Sequence, residues 1–133
     1  VAAGSTEGTS TFHIVEDTGL STLDDRIADQ CRSDGYTVRE VTIRTSRLSD
    51  IIDAHLPPDA TIHFLKIDVE GQELEVLQGA QGLLDAGRIR AVYLDGYSDP
   101  SIESLLRDRG FRFLEGRTLQ PTSGNVFSLL ALR

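Results

Sequence analysis

Residues 9–15 read TSTFHIV, with Phe12 and Ile14 on one face and His13 and Val15 on the other, the period-two pattern of a short strand that Gly19 breaks. The period then lengthens. Leu23, Ile27 and Cys31 recur at i, i+4 and i+8 as the stripe of an amphipathic helix, with Thr22 placed as its cap, Asp24 and Asp25 in its first turn and Asp34-Gly35 at its end. Cys31 lies in that stripe and reads as a small core hydrophobe rather than a nucleophile. Alternation returns over Val38 to Arg44, with Val41 and Ile43 facing inward, and a short helix bearing Leu48, Ile51 and Ile52 runs up to the stop at Pro57-Pro58.

The centre of the chain is patterned differently. Ile62 to Val69, IHFLKIDV, is apolar on both faces, which predicts a strand buried between two layers of helices. Leu74, Leu77, Ala80 and Leu84 then form a helical stripe that Gly87 stops, and Ile89 to Leu94 is a second apolar strand ending in Asp95-Gly96. Asp99 caps a further helix with Pro100 in its first position, Ile102, Leu105 and Leu106 facing the core and Gly110 closing it. Phe111 to Leu114 and Val126 to Leu132 complete the set as strands. This order predicts an α/β fold, a parallel sheet with flanking helices and a terminal antiparallel strand. Right-handed crossover makes the strand ending at Asp68 parallel to the one ending at Asp95, so both acids reach the edge where open α/β sheets bind ligands.

Composition narrows the function classes. A chain of 133 residues, 39% hydrophobic and 26% charged, has the make-up of one globular domain and excludes two full ones. Thirteen Lys and Arg against 21 Asp and Glu leave a net charge of −8, which disfavours nucleic acid and anionic membrane as partners. No apolar run approaches the roughly 18 residues of a membrane span, and the start, VAAGS, lacks the features of a signal peptide. The single cysteine excludes an intramolecular disulfide and a multi-cysteine zinc site, and fits a cytoplasmic setting. The first residue is Val1 and the sequence holds no Met, so Val1 is expected to be a cut edge.

Residues 64–80, FLKIDVEGQELEVLQGA, resemble the signature of the FkbM-type methyltransferase family, a K-I-D-V-E-G-x-E run followed by a V-L-x-G-A helix. The likeness extends more weakly to Val1–Val15, Ser46–Ile52 and Gly110-Phe111. It implies a class I, Rossmann-like methyltransferase fold, S-adenosylmethionine as methyl donor, and transfer to a hydroxyl of a sugar, polyketide or related metabolite. The family's Gly-rich turn and ribose-holding acid have no counterpart before the signature, because Gly4, Gly8 and Gly19 lie in polar stretches. Residues 1–133 are therefore expected to be the carboxyl-terminal half of such a domain, without its cofactor-binding half. Unless Val38–Arg44 or Thr9–Val15 covers the far side of Ile62–Val69, that strand needs a partner strand from the missing half or another chain.

Asp68, at the strand's carboxyl end, is the leading catalytic and cofactor-facing candidate: a carboxylate there attracts the sulfonium charge or accepts the acceptor hydroxyl's proton. Its alternative is an acid that satisfies backbone groups. Glu70 joins it as a catalytic candidate if the chain stays extended, with Cα atoms roughly 6–7 Å apart on one face. Equally, Glu70 is a favourable anion at the next helix's N-terminus, worth about 0.3–1 kcal/mol. Gly71 supplies turn freedom, Glu73 reads as a first-turn charge and Lys66 as a structural ion-pair partner. His63 lies about 16 Å along the strand from Asp68, so one metal cannot take both with Glu70, and no metal is expected. His13 and His55 read as ordinary surface or strand residues. Asp95 and Tyr97 are the substrate-binding candidates, Tyr97 offering an aromatic wall and a hydroxyl, and Arg117–Asn125 is either a plain connection or an acceptor lid. Two rival readings remain: a hydrolase using Asp68 and Glu70 as paired carboxylates, and a non-catalytic association module that uses the strand edge.

Overall fold

The early alternating stretches find each other. The computed structural model describes residues 1–18 and 20–133, so the reading of Gly19 as a strand breaker lies outside the described residues. β1 (Ala2–Gly4), β2 (Gly8–Val15) and β3 (Val38–Arg47) form a sheet in the order β1-β3-β2. β2 runs antiparallel to β3, Phe12 opposite Val41 and Val15 opposite Val38, and β1 runs parallel to β3. β3 extends past the predicted Arg44 because Thr45, Ser46 and Arg47 pair with β1. The inner face of β2 carries His13 and Val15, both buried, while Phe12 and Ile14 are half-buried.

α1 (Asp25–Ser33) packs beside this sheet with Ala28 and Cys31 buried, as the stripe predicted for Cys31. Its cap is Asp24, not Thr22: the Asp24 side chain accepts the N–H of Arg26. Thr22 is drawn inward instead, buried and paired with His13 through two backbone hydrogen bonds. α2 (Leu48–His55) ends before the two prolines as expected.

The second half is built on β4 (Leu65–Ile67), β5 (Ala91–Asp95), β6 (Arg112–Glu115) and β7 (Ser128–Leu132), in the order β4-β5-β7-β6. β4 is parallel to β5, and β7 is antiparallel to both β5 and β6, so three strands share a direction and one returns. The fold is α/β with two mixed sheets. The predicted parallel pair and the reversed terminal strand are both present, but neither sheet is parallel throughout. α3 (Glu73–Gly79), α4 (Gln81–Asp85) and α5 (Ser101–Arg107) cover one face of the second sheet. Ile67, Val92, Leu94 and Leu129 meet Leu77, Leu84, Ile102 and Leu106 there, each such side chain contributing about 1.5–3 kcal/mol by leaving water.

Two expectations are corrected. Ile62–Val69 is not buried on both faces: Ile67 is buried, but Phe64 is 57% exposed and Lys66 and Asp68 are exposed. The helices lie on one face only among the described residues, and β2 and β3 pair within their own sheet, so β4 is an edge strand. With hydrogen bonds on one side only, the ordered strand shrinks to three residues plus an isolated pairing of Ile62 with Ile89. The exposed Phe64 ring stacks on Tyr93 instead, at 6.4 Å between centroids. The helix after the signature is also two short ones with Ala80 between, at the point where β1 presses on Gly79. No helix among the described residues is long and apolar enough to cross a membrane.

Candidate functional site

The signature turn begins where β4 stops. After Asp68 and Val69, Glu70 (φ +50°) and Gly71 (φ +97°) both adopt left-handed backbone, which swings the chain from the sheet into α3. Such a conformation at a non-glycine residue costs about 1–3 kcal/mol and persists only where neighbours impose it. Here they do. The buried Thr22 hydroxyl donates to the Glu70 carbonyl at 2.8 Å and accepts the Asp24 N–H at 2.9 Å. The Gly71 N–H donates to Glu73 Oε1 at 3.0 Å. A Cβ at Gly71 would stand 3.1 Å from Ile27 Cδ1 and 3.3 Å from Asp24 Oδ2, so the start of α1 closes directly over the turn. Asp24 is held in turn by Arg26, whose Nη2 lies 2.8 Å from Oδ2, and this bond holds the Asp24 carboxyl below its ordinary range.

This geometry re-assigns the acids. Because the chain turns at Glu70, Asp68 and Glu70 are not successive same-face positions of one extended strand, and the condition for pairing them that way is not met. Asp68 is exposed and accepts from Lys66 Nζ at 2.8 Å. The ion pair expected of Lys66 therefore forms, but in solvent rather than in a core, and it holds the Lys66 ammonium above its usual value. Glu73 does stand in the first turn of α3, as expected, and is buried there, serving the signature turn. His13 is a strand residue of β2, one of the two expected alternatives, and is 3% exposed, with Nε2 2.7 Å from Asp25 Oδ1 and Nδ1 3.6 Å from Glu40 Oε1. His55 and His63 are exposed.

Glu70, Gly71, Asp95, Gly96, Tyr97 and Phe127 line one cleft of about 340 Å³ at the carboxyl ends of β4 and β5. Topology thus brings Glu70, Asp95 and Tyr97 together, while Asp68 stands outside that lining. Asp95, last residue of β5, accepts from Ser128 Oγ at 3.2 Å. Tyr97 presents its ring, but its hydroxyl is engaged, donating to Glu103 Oε1 at 2.5 Å. Burial, followed by the Glu103 carboxylate, pushes the phenol up to about 12. Glu103 Oε1 also accepts the Asn125 N–H at 2.5 Å, and Arg107 donates to the Ser123 carbonyl at 2.6 Å, so Arg117–Asn125 is tied to α5 at its far end. A separate concavity of about 490 Å³ between β2, β3 and α2 contains no signature residue.

Sequence reasoning missed Phe127. The signal for it was the pairing of the last strand: Asp95 lies opposite Ser128, which sets Phe127 beside Gly96 at the mouth of the cleft. Thr22 and Asp24 were also read only as helix-start residues, because their contacts to the turn bridge 48 and 47 positions of sequence.

The chain matches the methyltransferase FkbM domain over residues 1–113. It is similar to the methyltransferase sdnD of Sordaria araneosa, 34% identical over 107 residues, an alignment that covers 71% of this chain and 39% of that relative. The chain thus spans well under half the length of that protein. No solved structure matches it.

Proposed function

Because the chain belongs to the methyltransferase FkbM domain family, we propose that it is the acceptor side of a class I, S-adenosylmethionine-dependent methyltransferase acting on a hydroxyl of a sugar, polyketide or related metabolite. The observation that carries this reading is the family's signature turn, clamped by α1 so that Glu70 and Asp95 share one cleft at the carboxyl ends of β4 and β5. S-adenosylmethionine, when bound, supplies an electrophilic methyl group on a positively charged sulfur. The residues present fit the charged end of that molecule: Glu70 and Asp95 place negative charge in one cleft, where it attracts a sulfonium. They do not supply a cradle for the rest of it, since Gly4 and Gly8 lie in β1 and β2 of the other sheet.

The acceptor hydroxyl is taken to sit in the cleft, where Glu70 or Asp95 accepts its hydrogen bond and then its proton. Asp68 lies on the outer side of the turn with its charge met by Lys66. The unpaired edge of β4 and the uncovered face bearing Phe64 and Tyr93 are the proposed seat of the cofactor-binding half, with a strand from it pairing along β4.

The test is methyl transfer from isotope-labelled donor to a panel of hydroxyl acceptors, by this chain alone and with the cofactor-binding half of a family member supplied. Transfer that requires the second component and falls in Glu70→Gln and Asp95→Asn supports the proposal. Tight 1:1 donor binding by the chain alone in calorimetry refutes the division into halves, and absence of transfer in both formats refutes the enzymatic reading. The exposed β4 edge favours one alternative, an association module, for which a stable complex through β4 without turnover is the distinguishing result.

A further inference from the structure

Phe127 is 64% exposed, although it sits immediately before a buried strand. Large aromatic rings left in water at a fixed position are informative because their burial is what ordinarily stabilises a fold. The position here is fixed from several directions. The Phe127 carbonyl accepts the Gly96 N–H at 3.1 Å, and the next residue's carbonyl accepts the Gly116 N–H at 2.8 Å. The preceding loop is tied to α5 through Glu103 and Arg107. The ring reaches over Gly96, where a Cβ would stand 3.7 Å from Cζ, and the Arg117 guanidinium lies over the ring at 5.0 Å.

The cleft that this ring borders has a one-sided chemistry. Glu70, Glu73 and Asp95 line it, and no Lys or Arg does among the described residues; the Arg117 guanidinium lies beyond that lining, on the Phe127 ring. Carboxylates accept hydroxyl or ammonium hydrogen bonds and repel anions at short range in a partly enclosed site. We propose that Phe127 is a specificity-determining residue that contacts the acceptor, its ring supporting the apolar carbon skeleton of an uncharged hydroxyl compound while Glu70 and Asp95 face the hydroxyl. This rests on the acceptor-side reading above and adds two things to it, the contact surface and the exclusion of anionic acceptors.

The contact is tested without turnover. Chain labelled with ¹³C in its phenylalanine rings is titrated, by NMR, with methyl β-D-glucopyranoside and cyclohexane-1,2-diol as neutral probes and with glucose 6-phosphate as the anionic one. The signal that vanishes in Phe127→Ala assigns the ring. The expected result is that a neutral probe shifts this signal and the phosphate does not, that Phe127→Ala weakens neutral-probe binding about tenfold, and that Phe127→Trp retains it. Because the side chain is exposed, the alanine variant should melt with the wild type, which keeps a folding defect from imitating the effect. A Phe127→Ala variant that binds the neutral probes as well as wild type, a phosphate that binds as tightly, or neutral probes that leave the ring signal in place each overturn the inference. Failure of methyl transfer does not move this readout, so the two proposals fail separately.

Discussion

Gly79→Ala is expected to destabilise the protein, against the ordinary rule for a helix. Gly79 ends α3 and has no left-handed backbone, so replacing it with Ala would normally recover up to about 1 kcal/mol of helix propensity. The structure reverses the sign. A Cβ there would stand 1.8 Å from the Gly4 carbonyl oxygen, 2.9 Å from its carbon and 3.1 Å from the Leu48 nitrogen. All three are backbone atoms, so relief requires β1 to leave α3 or the start of α2 to move. Overpacking costs about 1–3 kcal/mol, and a 1.8 Å approach to backbone places this case at about 2–3, a net loss of roughly 1–2 kcal/mol after the propensity gain. At a melting entropy of the size usual for such a chain, that lowers Tm by about 4–8 °C. Gly82→Ala is the internal control, since that position in α4 meets nothing within 4 Å; it should raise Tm by about 2–4 °C. Circular-dichroism melts of the two variants, with hydrogen exchange of the Ala2–Gly4 amides, provide the measurement. If Gly79→Ala melts at or above wild type, or the two substitutions move Tm in the same direction, the close approach of β1 to α3 is wrong.

Thr22→Val removes the hydroxyl that donates to Glu70 and accepts from Asp24, and urea unfolding should show a loss of about 1–3 kcal/mol that Thr22→Ser largely restores. The Tyr97 phenol should ionise at about 12 in an ultraviolet absorbance titration, and Glu103→Gln should lower that value only in part, since burial is the larger cause. Since its folded pKa lies above the unfolded 10.0, that group's stabilisation is present below pH 10 and is lost as pH rises toward 12. Asp24, held down chiefly by Arg26, and Asp99 and Glu115, held down by hydrogen bonds at Ser101 and Thr118, have the opposite sign. Their stabilisation is present above the ordinary values of 3.8 to 4.5 and is lost as pH falls through the lower folded values, a slope that Arg26→Ala should flatten in acid-unfolding curves.

The elements themselves were legible because period-two and helical patterns are local properties of side-chain spacing. Residues 9–15 and 38–44 did become β2 and β3, and the alternation from Ile62 to Leu132 gave the parallel pair with a reversed last strand. The signature was legible too, since it is contiguous. Local spacing reports which face of an element is apolar, but not what lies against it: Ile62–Val69 has two apolar faces, yet only one is covered, and Phe64 is exposed. The same reason explains Tyr97, whose free hydroxyl was expected at the acceptor and is engaged by Glu103 on α5.

The sequence alone determined the element types, the family-like signature and the topological edge at which Asp68 and Asp95 end their strands. Only the tertiary structure decided which acids meet. Glu70 enters the cleft beside Asp95 because Thr22 and Asp24, far back in the chain, hold its backbone in a turn, whereas Asp68 is left outside with Lys66. Phe127 joins them through the register of β7 on β5. Side-chain spacing is written residue by residue, but a cleft is made from positions dozens of residues apart, and their meeting is fixed by packing and by hydrogen bonds that close only when the whole chain folds.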